Sequence, residues 1–79
     1  MNVVLSAKAA KTLERINEPL KGRIIAALHK LKQDPPKGDI RPLTGRSGYR
    51  LRIGGWRVLF GIKSETIVVT EIAPRGQAY

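Results

Sequence analysis

The sequence predicts an α+β domain in which a two-helix hairpin covers one face of a small, mainly antiparallel β-sheet. Apolar residues recur at helical spacing from Ala9 to Leu31, and the pattern then changes to strict alternation over Tyr49–Ile53. A β-branched segment, Asn2–Leu5, precedes the helices and is typical of an N-terminal strand. The predicted element order is β-α-α-β-β-β, and the length of 79 residues corresponds to one domain, residues 1–79.

The first half of the chain is predicted to form the helical hairpin. Ser6 suits the N-cap of the first helix, whose apolar residues begin at Ala9. Pro19 interrupts the helical spacing, and we place it in the first turn of a second helix, where its missing N–H costs nothing. The second helix ends at residues 34–38, because a residue that precedes proline is disfavoured in the helical region.

The second half is predicted to form a three-stranded meander. Its strands are Tyr49–Ile53, Trp56–Ile62 and Thr66–Ala73. Gly54-Gly55 is the turn between the first two strands, because glycine tolerates the positive φ angles that type I′ and II′ turns require. The segment Asp39–Leu43 is compatible with either a further strand or a loop.

The chain is strongly basic. Fifteen Lys and Arg residues face six acidic residues, which gives a formal net charge of +9. Such a charge favours polyanionic partners, namely nucleic acid, an acidic membrane surface or an acidic protein, unless it serves only solubility. No apolar run reaches the ~20 residues of a membrane span, and the first residues lack the pattern of a signal peptide. We therefore expect a cytoplasmic protein without a membrane partner.

Arginine side chains are predicted to converge on one exposed face of the meander. A two-residue turn places Arg52 opposite Arg57. Arg50 shares that face because it precedes Arg52 by two residues. Opposed like charges destabilise a strand pair by a few tenths to about 1 kcal/mol, so an anion is expected there. These guanidinium groups can bind RNA phosphates or stabilise a phosphoryl-transfer transition state, and they can equally be the solvated side of the sheet.

Further basic and polar residues extend this predicted surface. Arg41, Arg46 and Lys37 are candidate RNA-binding residues. Arg75 and Tyr79 follow the last strand. A terminal tyrosine can stack on a base or help to move a ribose proton, and it can equally belong to a frayed terminus.

The remaining titratable residues offer little for catalysis. Glu71 is the only acid expected near the arginines, as a paired or solvated strand residue that could contact Arg57 or Arg75. His29, the only histidine, is expected to be structural or solvated, and the chain has no cysteine. We therefore expect no metal site and no cofactor.

Along essentially its whole length, the chain resembles the RelE/ParE superfamily of toxins from toxin–antitoxin modules. The most specific segment is Tyr49–Phe60, which is similar to the superfamily's "YRlRiGdyRvly" core. Residues 72–79 are similar to its C-terminal "HRxxxY" segment, with Pro74 where many relatives have histidine. The start of the first helix, the end of the second and Pro42-Leu43-Thr44-Gly45 also fit the superfamily.

For RelE-type members, the resemblance implies an endoribonuclease that cleaves messenger RNA on the ribosome, beside 16S rRNA. It also implies a cognate antitoxin. The 2′-hydroxyl of the RNA attacks the adjacent phosphate, and no metal takes part. Matched position by position, the catalytic residues are Arg50, Arg52, Arg57, Arg75 and Tyr79. Arginine holds its proton, so the general base is either Tyr79 or absent, in which case catalysis rests on electrostatics and positioning.

Two alternatives remain open on the sequence alone. A ParE-type toxin would have the same fold, would not cleave RNA and would act on DNA gyrase. A plain nucleic-acid-binding module would bind phosphates with a steep salt dependence and would release no product.

Overall fold

The computed structural model describes residues 1–74 and contains a five-stranded sheet and two helices. The elements are β1 Asn2–Leu5, α1 Ala7–Arg15, α2 Leu20–Leu31, β2 Ile40–Pro42, β3 Tyr49–Ile53, β4 Trp56–Lys63 and β5 Thr66–Pro74. The predicted α+β fold is confirmed, and the segment that was compatible with strand or loop contains the short strand β2.

The sheet has the strand order β1-β5-β4-β3-β2. From β2 to β5 each strand pairs antiparallel with its neighbour, whereas β1 pairs parallel with β5. The sheet is therefore mainly antiparallel, as predicted. β1 and β2 form its two edges, and β4 lies at its centre with a strand on each side.

Both helices begin close to their predicted positions. The Ser6 hydroxyl caps α1 by accepting a hydrogen bond from the Ala9 backbone N–H, at 3.1 Å. Pro19 is the N-cap of α2 and therefore lies one residue before the predicted first turn. α2 ends at Leu31, ahead of the proline pair, and the Lys37 backbone N–H then donates to the Lys30 carbonyl at 3.2 Å. This hydrogen bond closes the loop that leads to β2.

The helices pack on one face of the sheet and form the core with it. The buried residues of this core are Ala9, Ile16, Ile24, Leu28, Leu31, Leu51, Ile53, Val58, Phe60, Ile67, Val69 and Ile72. We call the opposite face the open face. It carries the residues that alternate with the core residues along β3 and β4, so it is the face on which the arginines lie. Neither helix in residues 1–74 has the length and apolar character needed to cross a bilayer.

Candidate functional site

Four arginines lie side by side on the open face. The hairpin of β3 and β4 has the predicted register, with Ile53 opposite Trp56 and Arg52 opposite Arg57. Gly54 in its turn has a φ of 57°, the left-handed region that glycine enters without strain. On the other side of β3, Arg41 of β2 pairs with Arg50. We call Arg41, Arg50, Arg52 and Arg57 the arginine cluster.

Exposure within the arginine cluster falls from the edge of the sheet to its centre. The side chain of Arg41, on the edge strand, is 66% exposed and that of Arg52 is 45% exposed. Arg57, on the central strand, is only 6% exposed. The expectation that Arg57 is exposed is therefore wrong; β4 is the third of the five strands and lies farther from an edge than β2 or β3. A guanidinium that is largely shielded from water interacts more strongly with an anion than an exposed one does.

An acidic residue that the sequence analysis did not place at the site, Asp39, lies at the edge of the arginine cluster. Arg52 Nε donates a hydrogen bond to Asp39 Oδ2 at 2.9 Å, and Arg41 Nε lies 4.0 Å from Asp39 Oδ1. The hydrogen bond from Arg52, aided by the nearby positive charges, lowers the pKa of Asp39 below its ordinary 3.8. The pair therefore stabilises the fold above about pH 4 and is lost as the pH falls below that value.

We expect Asp39→Asn to strengthen RNA binding by several-fold at low salt. The substitution releases Arg52 and Arg41 for phosphates, and each added contact steepens the dependence of log K on log salt by about 0.7 for a single strand. The measurement is a salt titration of the affinity for a short single-stranded RNA. Asp34→Asn removes the same charge from an exposed loop position and should leave the salt slope unchanged. Equal slopes for both variants would contradict the role of Asp39 as a competitor for phosphate.

Glu71, the acid expected at the site, pairs with a lysine that was not among its predicted partners. Its carboxylate accepts a hydrogen bond from Lys8 Nζ of α1. Glu71 lies on the open face opposite Leu59, two residues along β5 from Ala73, which is the partner of Arg57. The expectation that Glu71 is the only acid near the arginines is wrong, because Asp39 contacts them directly.

The three candidate RNA-binding residues lie in two places. Arg46, in the loop between β2 and β3, lines a hollow of about 430 Å³ together with Arg41 and Arg50. Lys37, in the segment between α2 and β2, lines a separate hollow of about 340 Å³ with Arg52. Two basic residues of α2, which the sequence analysis missed, line that second hollow: Arg23 and Lys30.

The remaining candidate residues that lie within residues 1–74 form no second site. Arg75 and Tyr79 lie outside the described residues. His29 is exposed on the last turn of α2. Within residues 1–74, no three histidine, aspartate or glutamate side chains come together in a group that could hold a metal ion. The arginine cluster is therefore the arrangement on which a function of this part of the chain can be argued.

Comparisons with known proteins agree on one superfamily. The sequence model of the family described as "ParE toxin of type II toxin-antitoxin system, parDE" matches residues 3–79. The archaeal RelE–RelB complex from Pyrococcus horikoshii OT3 contains a chain that is 25% identical, with a TM-score of 0.80, covering 98% of this chain and 97% of that one. No curated protein matches the sequence significantly.

Two more distant structures share the fold. The RelBE2 complex from Mycobacterium tuberculosis contains a chain that is 19% identical, with a TM-score of 0.78, covering 94% of this chain and 96% of that one. The isolated RelE toxin of E. coli is 12% identical, with a TM-score of 0.80, covering 98% of this chain and 86% of that one.

Proposed function

The chain belongs to the ParE toxin family of type II toxin–antitoxin systems, and on this premise we propose that it is a toxin that cleaves messenger RNA on the ribosome. The observation that carries the proposal is the arginine cluster: three strands bring four guanidinium groups to one face, and one of them, Arg57, is buried. A sheet that keeps Arg52 directly opposite Arg57 pays in stability for that arrangement, and a bound phosphate offsets the repulsion.

In the proposed reaction, the 2′-hydroxyl of the messenger attacks the adjacent phosphorus and the 5′-oxygen leaves. The departing 5′-oxygen takes a proton from water, so the products are a cyclic phosphate and a free 5′-hydroxyl. Arg50 and Arg52 bind the non-bridging oxygens, and Arg57 stabilises the charge that develops on them in the transition state. The RNA supplies the nucleophile, and the arginines supply the positive charge that stabilises the transition state. The proposed reaction therefore needs no metal ion for either role.

Proton transfer is assigned to the C-terminal residues. Arginine does not give up its proton near neutral pH, so the arginine cluster cannot act as the general base. We assign that role to Tyr79, with Arg75 favouring the phenolate form. The ribosome, including its 16S rRNA, holds the messenger in the geometry for in-line attack.

Substitutions of Tyr79 separate proton transfer from stacking. If the hydroxyl moves a proton, Tyr79→Phe should lower the rate of cleavage by about 10²–10⁴-fold. If the ring only stacks on a base, phenylalanine should replace tyrosine while alanine should not. Single-turnover cleavage of a ribosome-bound messenger by all three proteins is the measurement. Equal rates for all three would remove Tyr79 from the mechanism.

The proposed partner is a cognate antitoxin made in the same cytoplasm. The domain carries a net charge of +9, so an acidic segment that covers the arginine cluster would both block RNA and relieve repulsion. Co-expression with the neighbouring gene should give a complex that melts well above the free protein and does not cleave, because a ligand of the native state stabilises it by mass action. A neighbouring product that neither binds nor protects would contradict this assignment.

A ParE-type toxin that acts on DNA gyrase without cleaving RNA is the second candidate. It is favoured by the description of the matching family model, which names ParE. The deciding experiment incubates the purified protein in parallel with translating ribosomes on a defined messenger and with gyrase on relaxed plasmid. New 5′ ends on the messenger support the proposal. Inhibition of supercoiling without new ends supports the second candidate, and neither effect would leave a plain nucleic-acid-binding module.

A further inference from the structure

A hollow of about 640 Å³ lies on the open face next to the arginine cluster. Its volume is within the ~300–1,000 Å³ that is usual for small-molecule sites. We propose that this hollow binds one base of the RNA whose phosphates the arginine cluster holds, and that Glu71 selects a base with an exocyclic amino group. The inference rests on the proposed function and adds to it a preference for certain bases of the RNA. We call the hollow the base pocket; it is lined by Leu43, Arg46, Ser47, Gly48, Tyr49, Leu59, Phe60, Gly61, Ile62, Thr70 and Glu71.

The base pocket and the arginine cluster are continuous. The base pocket shares Leu43 and Arg46 with the hollow that Arg41 and Arg50 line. Leu59, on its floor, is the direct cross-strand partner of Arg50. Neighbouring strands are about 4.8 Å apart, so a nucleotide whose phosphate contacts Arg50 has its base within reach of the pocket.

A β-bulge turns Glu71 into the base pocket. The register of β4 and β5 shifts between Leu59 and Phe60. Leu59 pairs with Glu71, and Phe60 pairs with Val69. Thr70 is therefore the extra residue of the bulge. In a regular strand, residue 71 would follow Ile67 and Val69 into the core. The bulge instead puts Ile72 there, 3% exposed, and Glu71 on the open face. Bulges commonly re-aim a side chain in this way beside functional sites.

The floor of the base pocket is apolar and partly bare. Leu59 lies on the open face and is 4% exposed, so the accessible part of the floor is the half-buried Gly61 rather than the leucine itself. Next to it, Gly61 has no side chain, and a Cβ placed there would meet no atom within 4 Å. A glycine within a strand weakens it and often marks a place where a ligand approaches closely. The bare backbone therefore leaves a flat surface on which a planar base can lie.

The wall of the base pocket is a loop that the structure holds in place. The Leu43 backbone N–H donates to the Gly48 carbonyl at 3.0 Å and closes the loop between β2 and β3. Gly48 has a φ of 110°, and a Cβ there would lie 3.2 Å from the Phe60 carbonyl oxygen. Within this loop, Arg46 lines the base pocket. Guanidinium planes stack on bases, so Arg46 can cover the base from the side opposite to the floor.

The chemistry of the base pocket favours a base over a second phosphate. A carboxylate repels phosphate, whereas it accepts hydrogen bonds from the amino group of cytosine. The Lys8 ion pair uses Oε1 of Glu71. A carboxylate offers about four lone-pair sites over its two oxygens, so Oε2 can accept from the base. Uracil has a carbonyl oxygen where cytosine has this amino group, so the base pocket should distinguish the two.

Binding of two non-cleavable RNAs tests the inference. The probes are hexamers of 2′-O-methyl cytidine and 2′-O-methyl uridine, which lack the attacking hydroxyl, and the readout is fluorescence anisotropy at one salt concentration. The cytidine hexamer should bind about tenfold more tightly. Glu71→Gln presents an amide donor to uracil. It should reduce the preference for the cytidine hexamer from about tenfold to no more than about twofold. Gly61→Val fills the floor and should weaken cytidine binding to the uridine value, while the melting temperature does not fall, because valine favours strands.

Two matched controls accompany these variants. Lys8→Met removes the ion pair and keeps the Glu71 carboxylate, so the preference for cytidine should persist. Val4→Ile adds bulk to the open face on β1, two strands away from Gly61 and outside the base pocket. It should change the affinity for neither hexamer. Equal binding of both hexamers by the unaltered protein would overturn the base pocket even if messenger cleavage is observed. A cytidine preference without cleavage would support the base pocket and overturn the proposed ribonuclease activity.

Discussion

Arg57→Met should lower the rate of messenger cleavage by about 10²–10³-fold, which is the usual loss when one donor to a transition-state charge is removed. The effect should be large because Arg57 is 6% exposed and acts in a low-dielectric position at the centre of the arginine cluster. Methionine keeps the bulk of the arginine stem, which matters for a buried residue. The substitution also removes the repulsion with Arg52, which offsets part of any loss of stability, and thermal melting shows whether the variant is folded.

Arg15→Met is the matched control for this prediction. Arg15 is an exposed residue on the last turn of α1, so its loss changes the net charge by the same amount away from the open face. Cleavage and growth arrest should then be close to those of the unaltered protein. If both methionine variants cleave equally well, Arg57 has no catalytic role and the arginine cluster only binds RNA. If both are equally impaired, the total charge rather than the position of Arg57 is what matters.

Three members of the arginine cluster, Arg50, Arg52 and Arg57, could be predicted from the sequence because a two-residue turn allows only one register of the two strands. Once Gly54-Gly55 is the turn, Arg52 must face Arg57, and Arg50 must lie on the same side. Local rules about turns and alternation are sufficient for this, since all the residues involved lie within ten positions of one another in the chain. The helices were predictable for the same reason, because capping and apolar spacing are local.

The acidic partners could not be predicted, because they depend on contacts between distant segments. Asp39 reaches Arg52 only because β2 pairs with β3 across a loop, and the sequence left β2 open between a strand and a loop. Glu71 reaches the open face through a bulge at Thr70, which the run of β-branched residues in β5 does not reveal. The burial of Arg57 is likewise a property of the folded domain, and the alternation of residues along β4 does not specify it.

Ile24→Ala should destabilise the free protein by about 2–5 kcal/mol, the usual cost of emptying a fully buried isoleucine site. Ile24 is 0% exposed in the core between α2 and the sheet. A domain of 79 residues buries a smaller share of its surface than larger domains do, so its stability should lie near the lower end of the ~5–15 kcal/mol range. The loss of stability should therefore bring the melting temperature of the variant close to the growth temperature of the cell.

The neighbouring residue provides a control of the same type on the same helix. Ile25 is 38% exposed, so Ile25→Ala should cost well under 1 kcal/mol, partly offset by the better helix propensity of alanine. Urea unfolding of both variants measures the difference. Ile24→Ala should also lose toxicity, because the variant unfolds. A ligand that binds the native state should therefore raise its melting temperature again. Arg57→Met, in contrast, should be inactive although it is folded. Equal unfolding midpoints for the two alanine variants would show that α2 does not pack on the sheet through Ile24.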